Sequence, residues 1–280
     1  MSATTESTRH RHAPSAFGDD FRRFWNLTVT LATTDFKLRY FGSVLGYFWS
    51  LARPLMFFGV LYVVFTQVLR FGGDIEHYPV YLLTSIILWT FFVDTTNACV
   101  QCLIMREGLL RKMRFPRLVI PLSVALTALF NLGTNLIAVL VFALASGVEL
   151  RWTWIEMVPI IAALAVFAIG IGMLLSVLFV RFRDIQPIWE VLSQILFYGS
   201  PILYVSAQYE DFEHAAVMAN PIAALLTQMR RAFIDPYAPG LISATGGGLR
   251  VLVPLIIIAA VFALGLWVFS REAPRIAENL

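Results

Sequence analysis

"MREGLLRKMRFPRLVIPLS", residues 105–123, gathers Arg106, Arg111, Lys112, Arg114 and Arg117 around Pro116, and a long apolar run lies on either side of it. Each run suits a hydrocarbon layer about 30 Å thick, which takes roughly 20 apolar residues of helix to cross. A cationic cluster between two such runs marks a loop kept on one face of a bilayer. The chain therefore reads as a polytopic membrane protein. Its composition agrees: 59% of the 280 residues are hydrophobic and only 14% are charged, more apolar surface than one water-soluble core of this size hides. Unpaired backbone groups in lipid are costly, so spans must be helices or a closed barrel. The runs are too long and unbroken for barrel strands, which makes the expected fold all-α.

Working outward from that loop, apolar runs predict six spans, near 44–69, 79–102, 118–146, 154–180, 187–205 and 251–269, within one transmembrane domain, 44–270. With the N-terminus cytoplasmic, only Arg70, Arg151, Arg230, Arg231 and Arg250 of the 21 Lys and Arg fall outside. The positive-inside bias thus places residues 103–117 in the cytoplasm and, by the even number of spans, returns the tail 271–280 there too. Trp49, Trp89, Trp152, Trp154 and Trp267 are expected partly at the membrane interfaces. Residues 1–18 lack an apolar signal-peptide core and read as a disordered cytoplasmic tail.

Residues 19–43 read as an amphipathic helix lying in the inner interface. Phe21, Trp25, Thr28, Leu31 and Ala32 recur at helical spacing, with Asp19 and Asp20 at its start and Lys37 and Arg39 at its end. On the outer side, "NPIAALLTQMRRAFI" (220–234) predicts a helix capped by Asn220, with Pro221 in its first turn and Ile222, Leu225, Leu226, Met229 and Phe233 on one face. Pro201 breaks the fifth run near its outer end. Short helices re-entering the outer leaflet before the last span are therefore expected.

Catalytic chemistry is not visible. His10 and His12 lie in the tail and His77 and His214 in outer loops, which assembles neither a metal cage nor a nucleophile with its base. Cys99 and Cys102 have C-x-x-C spacing, but Val100 and Gln101 continue an apolar helix, so both read as packing residues. Nothing matches the phosphate-binding G-x-x-x-x-G-K-[ST] pattern. No cofactor or metal is expected in this chain, and a formal net charge of +3 gives no case for nucleic acid.

Polar residues within spans are the functional candidates. Asp94, Asn97 and Gln101 share a face of the second span; Ser123, Thr127, Asn131 and Asn135 recur every four residues on the third; Glu190, Gln194 and Tyr198 do so on the fifth. These edges either hydrogen-bond neighbouring helices or line a water-accessible path. Arg53, Asp94 and Glu190 lie toward the cytoplasmic half, where an ion pair among them would close an inner mouth. Ala168, Gly172 and Ser176 on the fourth span form a small-xxx-small pattern suited to close packing.

Taken in order, "DFKLRYFGSVLGYFWSLARPL" (35–55), "LLRKMRFPRLVIPLS" (109–123), "VRFRDI" (180–185), "GSPILY" (199–204), "NPIAALLTQMRRAFI" (220–234) and "REAPRIAENL" (271–280) resemble the membrane subunit of ABC-2 type exporters. The branch resembled moves O-antigen, capsular or cell-wall polysaccharide, or teichoic acid. The resemblance implies a homodimer in the inner membrane, joined to two copies of a separate ABC ATPase that binds ATP and Mg. It also implies a glycan cargo on a polyprenyl pyrophosphate carrier.

By that resemblance, a coupling helix at Arg106, Leu109, Leu110, Arg111, Lys112, Met113, Arg114, Phe115, Pro116 and Arg117 docks the ATPase. Leu109, Leu110 and Met113 would anchor it inside a cationic rim, an arrangement that a topology signal alone does not require. Arg22, Arg23, Trp25, Lys37 and Arg39 belong to the interface helix, whose cations suit a pyrophosphate. Phe57, Tyr62, Phe197, Tyr198 and Tyr204 are aromatic candidates for the cargo's path, since ring faces suit sugar faces. Phe41 and Arg53 depart from the family's usual basic residue and asparagine. An ABC-2 drug or lipid exporter is the alternative reading. An intramembrane enzyme lacks its constellation here, and a secondary transporter would show inverted repeats.

Overall fold

The computed structural model describes residues 21–40, 46, 48–69, 75–112, 115–204 and 219–279, and among them every regular element is helical. The expected tail, Asp19, Asp20, Met113, Arg114 and residues 205–218 lie outside the described residues, as do the side chains of Leu110, Arg111 and Lys112. In chain order the helices are α1 (Phe21–Tyr40), α2 (Phe48–Tyr62), α3 (Tyr78–Met105), α4 (Glu107–Lys112) and α5 (Val119–Ala145). They continue with α6 (Met157–Arg181), α7 (Ile185–Tyr198), α8 (Pro221–Phe233), α9 (Leu241–Ala244) and α10 (Leu252–Asn279). A π-helical turn, Val63–Val68, extends α2, and 3-10 turns Trp152–Glu156 and Gly248–Val251 lead into α6 and α10.

Among the described residues, five stretches are long and apolar enough to cross a membrane: Phe48–Val68, Tyr78–Met105, Val119–Ala145, Trp152–Arg181 and Gly248–Glu272. The run expected as the fifth span is not among them. It forms α7, which at 1.5 Å per residue is about 21 Å long, and ends at Gly199; Pro201, with no N–H to give, prevents the helix from resuming at once. A turn through residue 204 follows. At the chain's end the expected tail is not a break: α10 continues to Asn279.

α3 is the axis of the bundle. Its apolar residues face neighbours on nearly every side, and Val80, Leu82, Ile86 and Phe92 are wholly buried among residues of α5, α6 and α7. Trp89, expected near an interface, is buried here too and packs on Phe92 and Phe197 with ring centroids 5.5 Å away. Trp152 is exposed at the surface of the chain. α6 and α10 approach until their backbones touch at two glycines. A Cβ on Gly170 would sit 2.8 Å from Phe262 Cα, and one on Gly265 would strike the Gly170 carbonyl. The small-residue stripe has a different neighbour: at Gly172 the missing Cβ makes room for Cys99 of α3, a buried free thiol like Cys102.

α1 lies against the start of α5, at the end of the bundle that carries α4. Thr28 and Ala32 are buried as expected and Leu31 packs beside them, but at the start of the helix Phe24 takes the buried place expected of Phe21 and Trp25, which are left exposed. The periodicity identified an amphipathic helix correctly; which of two adjoining apolar strips meets protein is decided by α5. Phe24 joins Leu103, Leu118, Val119, Ile120, Met173, Val177 and Phe269 in a second core at this end.

At the opposite end α8 forms as its sequence predicts. The Asn220 side chain accepts from the Ile222 N–H at 3.0 Å, and Ile222, Leu225, Leu226, Met229 and Phe233 are all buried. Trp154 packs on Phe233 at 4.7 Å.

Candidate functional site

The polar edges of the spans do two different jobs. On α5, Ser123 and Thr127 fasten other elements: Ser123 Oγ accepts from Arg106, and Thr127 Oγ1 donates to the Ala32 carbonyl of α1 at 3.2 Å. Farther along the same stripe, Asn131 and Asn135 are buried beside a cavity of about 570 Å³. Arg39 from the end of α1, Trp49, Ser50 and Arg53 from α2, and Asp94 and Asn97 from α3 complete its polar lining. Arg39, Arg53 and Asp94 are the charged groups of this lining among the described residues.

A second cavity of about 570 Å³ adjoins the first through Asn97, which lines both. Its wall is mixed in character. Phe57 of α2, Trp89 of α3 and Phe197 and Tyr198 of α7 supply rings, while Glu190, Ser193 and Gln194 supply hydrogen-bonding groups. Phe197 is the hub, with ring centroids 5.2 Å from Tyr198, 5.5 Å from Trp89 and 6.2 Å from Phe57. The Trp189 indole N–H donates to Thr96 at 3.1 Å, which fixes α7 against α3 behind the cavity.

Of the residues singled out in the sequence, Arg39, Arg53, Asp94, Asn131 and Asn135 meet in the first cavity, and Phe57, Glu190, Gln194, Phe197 and Tyr198 in the second. The ion pair expected among Arg53, Asp94 and Glu190 does not form. Glu190 faces the other cavity and accepts from Gln186 at 3.2 Å, and among the described residues Asp94 has no ion-pair partner. Tyr62 is turned away and stacks on Phe58 at 5.7 Å. Tyr204 lies beyond the second cavity, where its carbonyl accepts from Tyr81 at 3.1 Å. Gln101 leaves the face it shares with Asp94 and bonds Gln186.

Trp89 and Ser193 complete the second cavity without having been singled out for it. Trp89 reads as an interface tryptophan from its place in a span, and only the return of α7 to α3 shows otherwise.

The cationic loop is partly structural. Arg106, at the joint of α3 and α4, points inward, donating to Asp35 of α1 as well as to Ser123. Leu109, Phe115, Pro116 and Arg117 are half-buried at the base of the bundle. On α1, Lys37 and Arg39 occupy the last turn and Trp25 is exposed, as are Arg22 and Arg23 near its start. Among the described residues no group of His, Cys, Asp and Glu is placed to hold a metal ion.

Among the described residues every regular element is helical, five stretches are long and apolar enough to cross a membrane and two adjoining cavities lie beside the central helix, the architecture of a multi-pass membrane protein. Residues 26–234 match the family model described as "ABC-2 type transporter", and the chain belongs to that family. It is 30% identical over 212 residues, 75% of this chain and 81% of the relative, to an O-antigen export system permease protein RfbA of Klebsiella pneumoniae. A protein of the same description from Myxococcus xanthus is 28% identical over 267 residues, 92% of this chain and 96% of that one. The polysialic acid transport protein KpsM of Escherichia coli is 23% identical over 246 residues, 85% and 91% of the two chains.

Proposed function

We propose that this chain is the membrane subunit of an ATP-driven exporter that carries polysaccharide, attached to a polyprenyl pyrophosphate lipid, across the cytoplasmic membrane. Two copies assemble with two copies of a separate ABC ATPase, which binds ATP and Mg and performs the hydrolysis. Both termini are cytoplasmic, α1 lies in the inner interface, and α4 with the loop to Arg117 docks the ATPase. α7 and the turn after it complete a sixth crossing together with covering segments of the assembly, and α8 and α9 re-enter the outer leaflet.

The observation that carries this reading is the second cavity. Ring faces suit the C–H faces of sugars, and amide, hydroxyl and carboxylate groups between them suit sugar hydroxyls without fixing one linkage. Glu190, Gln194 and Tyr198 are exposed on α7, as is Phe57 on α2, so the same lining is available to a space shared between two copies. A path of this kind lets a chain slide.

The test is reconstitution of the chain with its ATPase in vesicles containing a lipid-linked glycan. ATP-dependent appearance of glycan on the far side is expected, reduced about tenfold or more by Phe197→Ala, which removes the central ring. Transport of small amphiphiles with no movement of glycan would instead assign the chain to drug or lipid export.

A further inference from the structure

The first cavity contains an unmet requirement. Asn135 is more than nine-tenths buried and lines it, yet the side-chain Oδ1 accepts no hydrogen bond. A buried carbonyl oxygen without a donor is rare, because the desolvation is left without compensation. Arg39 and Arg53 line the same space, and among the described residues Asp94 is the one carboxylate that lines it, so the formal charges of the lining sum to one positive charge. A ligand with one negative charge and a hydroxyl donor meets both demands.

An apolar groove of about 690 Å³ continues from this cavity. Leu51, Leu55 and Phe58 of α2 face Ile137, Val141 and Phe142 of α5 across it, and Ser50 lines both spaces. On each helix the polar lining lies nearer the α4 end and the apolar lining runs toward the opposite end. Between Ser50 and Phe58 the groove follows about 12 Å of helix at 1.5 Å per residue. Ile137 and Val141 are exposed on the surface of the single chain, so the groove opens on that surface.

We propose that cavity and groove together hold one phosphatidylglycerol molecule from the surrounding membrane. Its phosphodiester lies between Arg39 and Arg53, the Asn135 amide turns its buried Oδ1 toward the cavity to accept a head-group hydroxyl, and an acyl chain fills the groove between α2 and α5. Charge selects this occupant. One phosphodiester balances the net charge of the lining, a pyrophosphate carrier would leave surplus negative charge beside Asp94, and a phosphatidylethanolamine would bring its ammonium against two guanidinium groups. The lipid supplies packing that α2 lacks within the chain, where Ala52 and Pro54 are its buried residues.

Native mass spectrometry of the full-length chain, released from detergent and titrated with single lipids, tests this. Wild-type protein is expected to retain one phosphatidylglycerol per chain and to bind phosphatidylethanolamine about tenfold more weakly, the equivalent of one charge-assisted hydrogen bond. Arg53→Gln and Asn135→Leu should each weaken phosphatidylglycerol by a similar factor. Val141→Trp plugs the groove from its exposed wall without touching a charge, and should do the same. Should Asn135→Leu fail to fold, Arg53→Gln and Val141→Trp, both at exposed positions, decide the matter. Equal affinity for the two phospholipids, unchanged retention in these variants, or preference for polyprenyl phosphate would each overturn the proposal.

Discussion

Arg106 and Asp35 are 71 positions apart in sequence and form an ion pair in the fold. The guanidinium also donates to Ser123 at 3.1 Å, so one side chain joins α1, α5 and the joint between α3 and α4. Its side chain is largely buried and that of Asp35 about one-third exposed. Removing the carboxylate therefore leaves a desolvated cation short of a partner, at a cost of about 1–3 kcal/mol. Asp35→Asn is expected to lower the thermal unfolding midpoint of the detergent-purified chain. Combining Asp35→Arg with Arg106→Asp should recover part of the loss, and a swap that recovers nothing would show that charge is not what joins them. In the assembled exporter, Asp35→Asn is expected to leave ATP hydrolysis running while transport per ATP falls, because α4 can then move without α1.

Among elements, the turn after α7 depends on two tyrosines of α3. Tyr78 donates to the Leu203 carbonyl at 2.8 Å, and Tyr81 donates to the carbonyls of Pro201 and Tyr204. Tyr81→Phe should cost about 1–2 kcal/mol and appear as faster hydrogen exchange at amides 202–204, with α6 and α10 unchanged. The contact between α6 and α10 is of another kind, since it requires an absence of side chain. Gly265→Leu is expected to force the helices apart, lowering stability by about 1–3 kcal/mol or more, and a variant as stable as the wild type would refute backbone contact at that crossing. Such elements differ in how far the sequence discloses them. α8, with Asn220, Pro221 and its apolar face, is legible because cap, proline and periodicity are local signals. Asp35 as the partner of Arg106 is not legible, nor is the choice of Phe24 over Phe21 and Trp25 as the buried strip of α1. Periodicity states that a helix has an apolar side, while the neighbour that covers it comes from distant sequence. α7 proved shorter than its apolar run because hydropathy does not register where Gly199 and Pro201 turn the backbone.

For the molecule as a whole, burial is unevenly distributed. Within the hydrophobic window of each span, 67% of residues are buried in α3 but only 11% in the first span. α7 likewise exposes Val191, Ile195 and Tyr198. These two surfaces are where a second copy would pack, and cysteines introduced at Met56 and Ile195 are expected to cross-link between copies in membranes. Cys99 and Cys102, being buried, should stay out of that reaction. Cross-linking only within single chains would place the contact elsewhere.

The loosely packed first span, α2 with its π-helical extension, bears on how the protein is made and kept. It leaves the ribosome before α3 exists to receive it, and even the finished subunit grips it lightly. A copy that never meets its mates would display that helix to the proteases that survey membranes. Cellular abundance of this chain should accordingly follow that of its partners, falling when they are withheld even though its own gene is expressed unchanged.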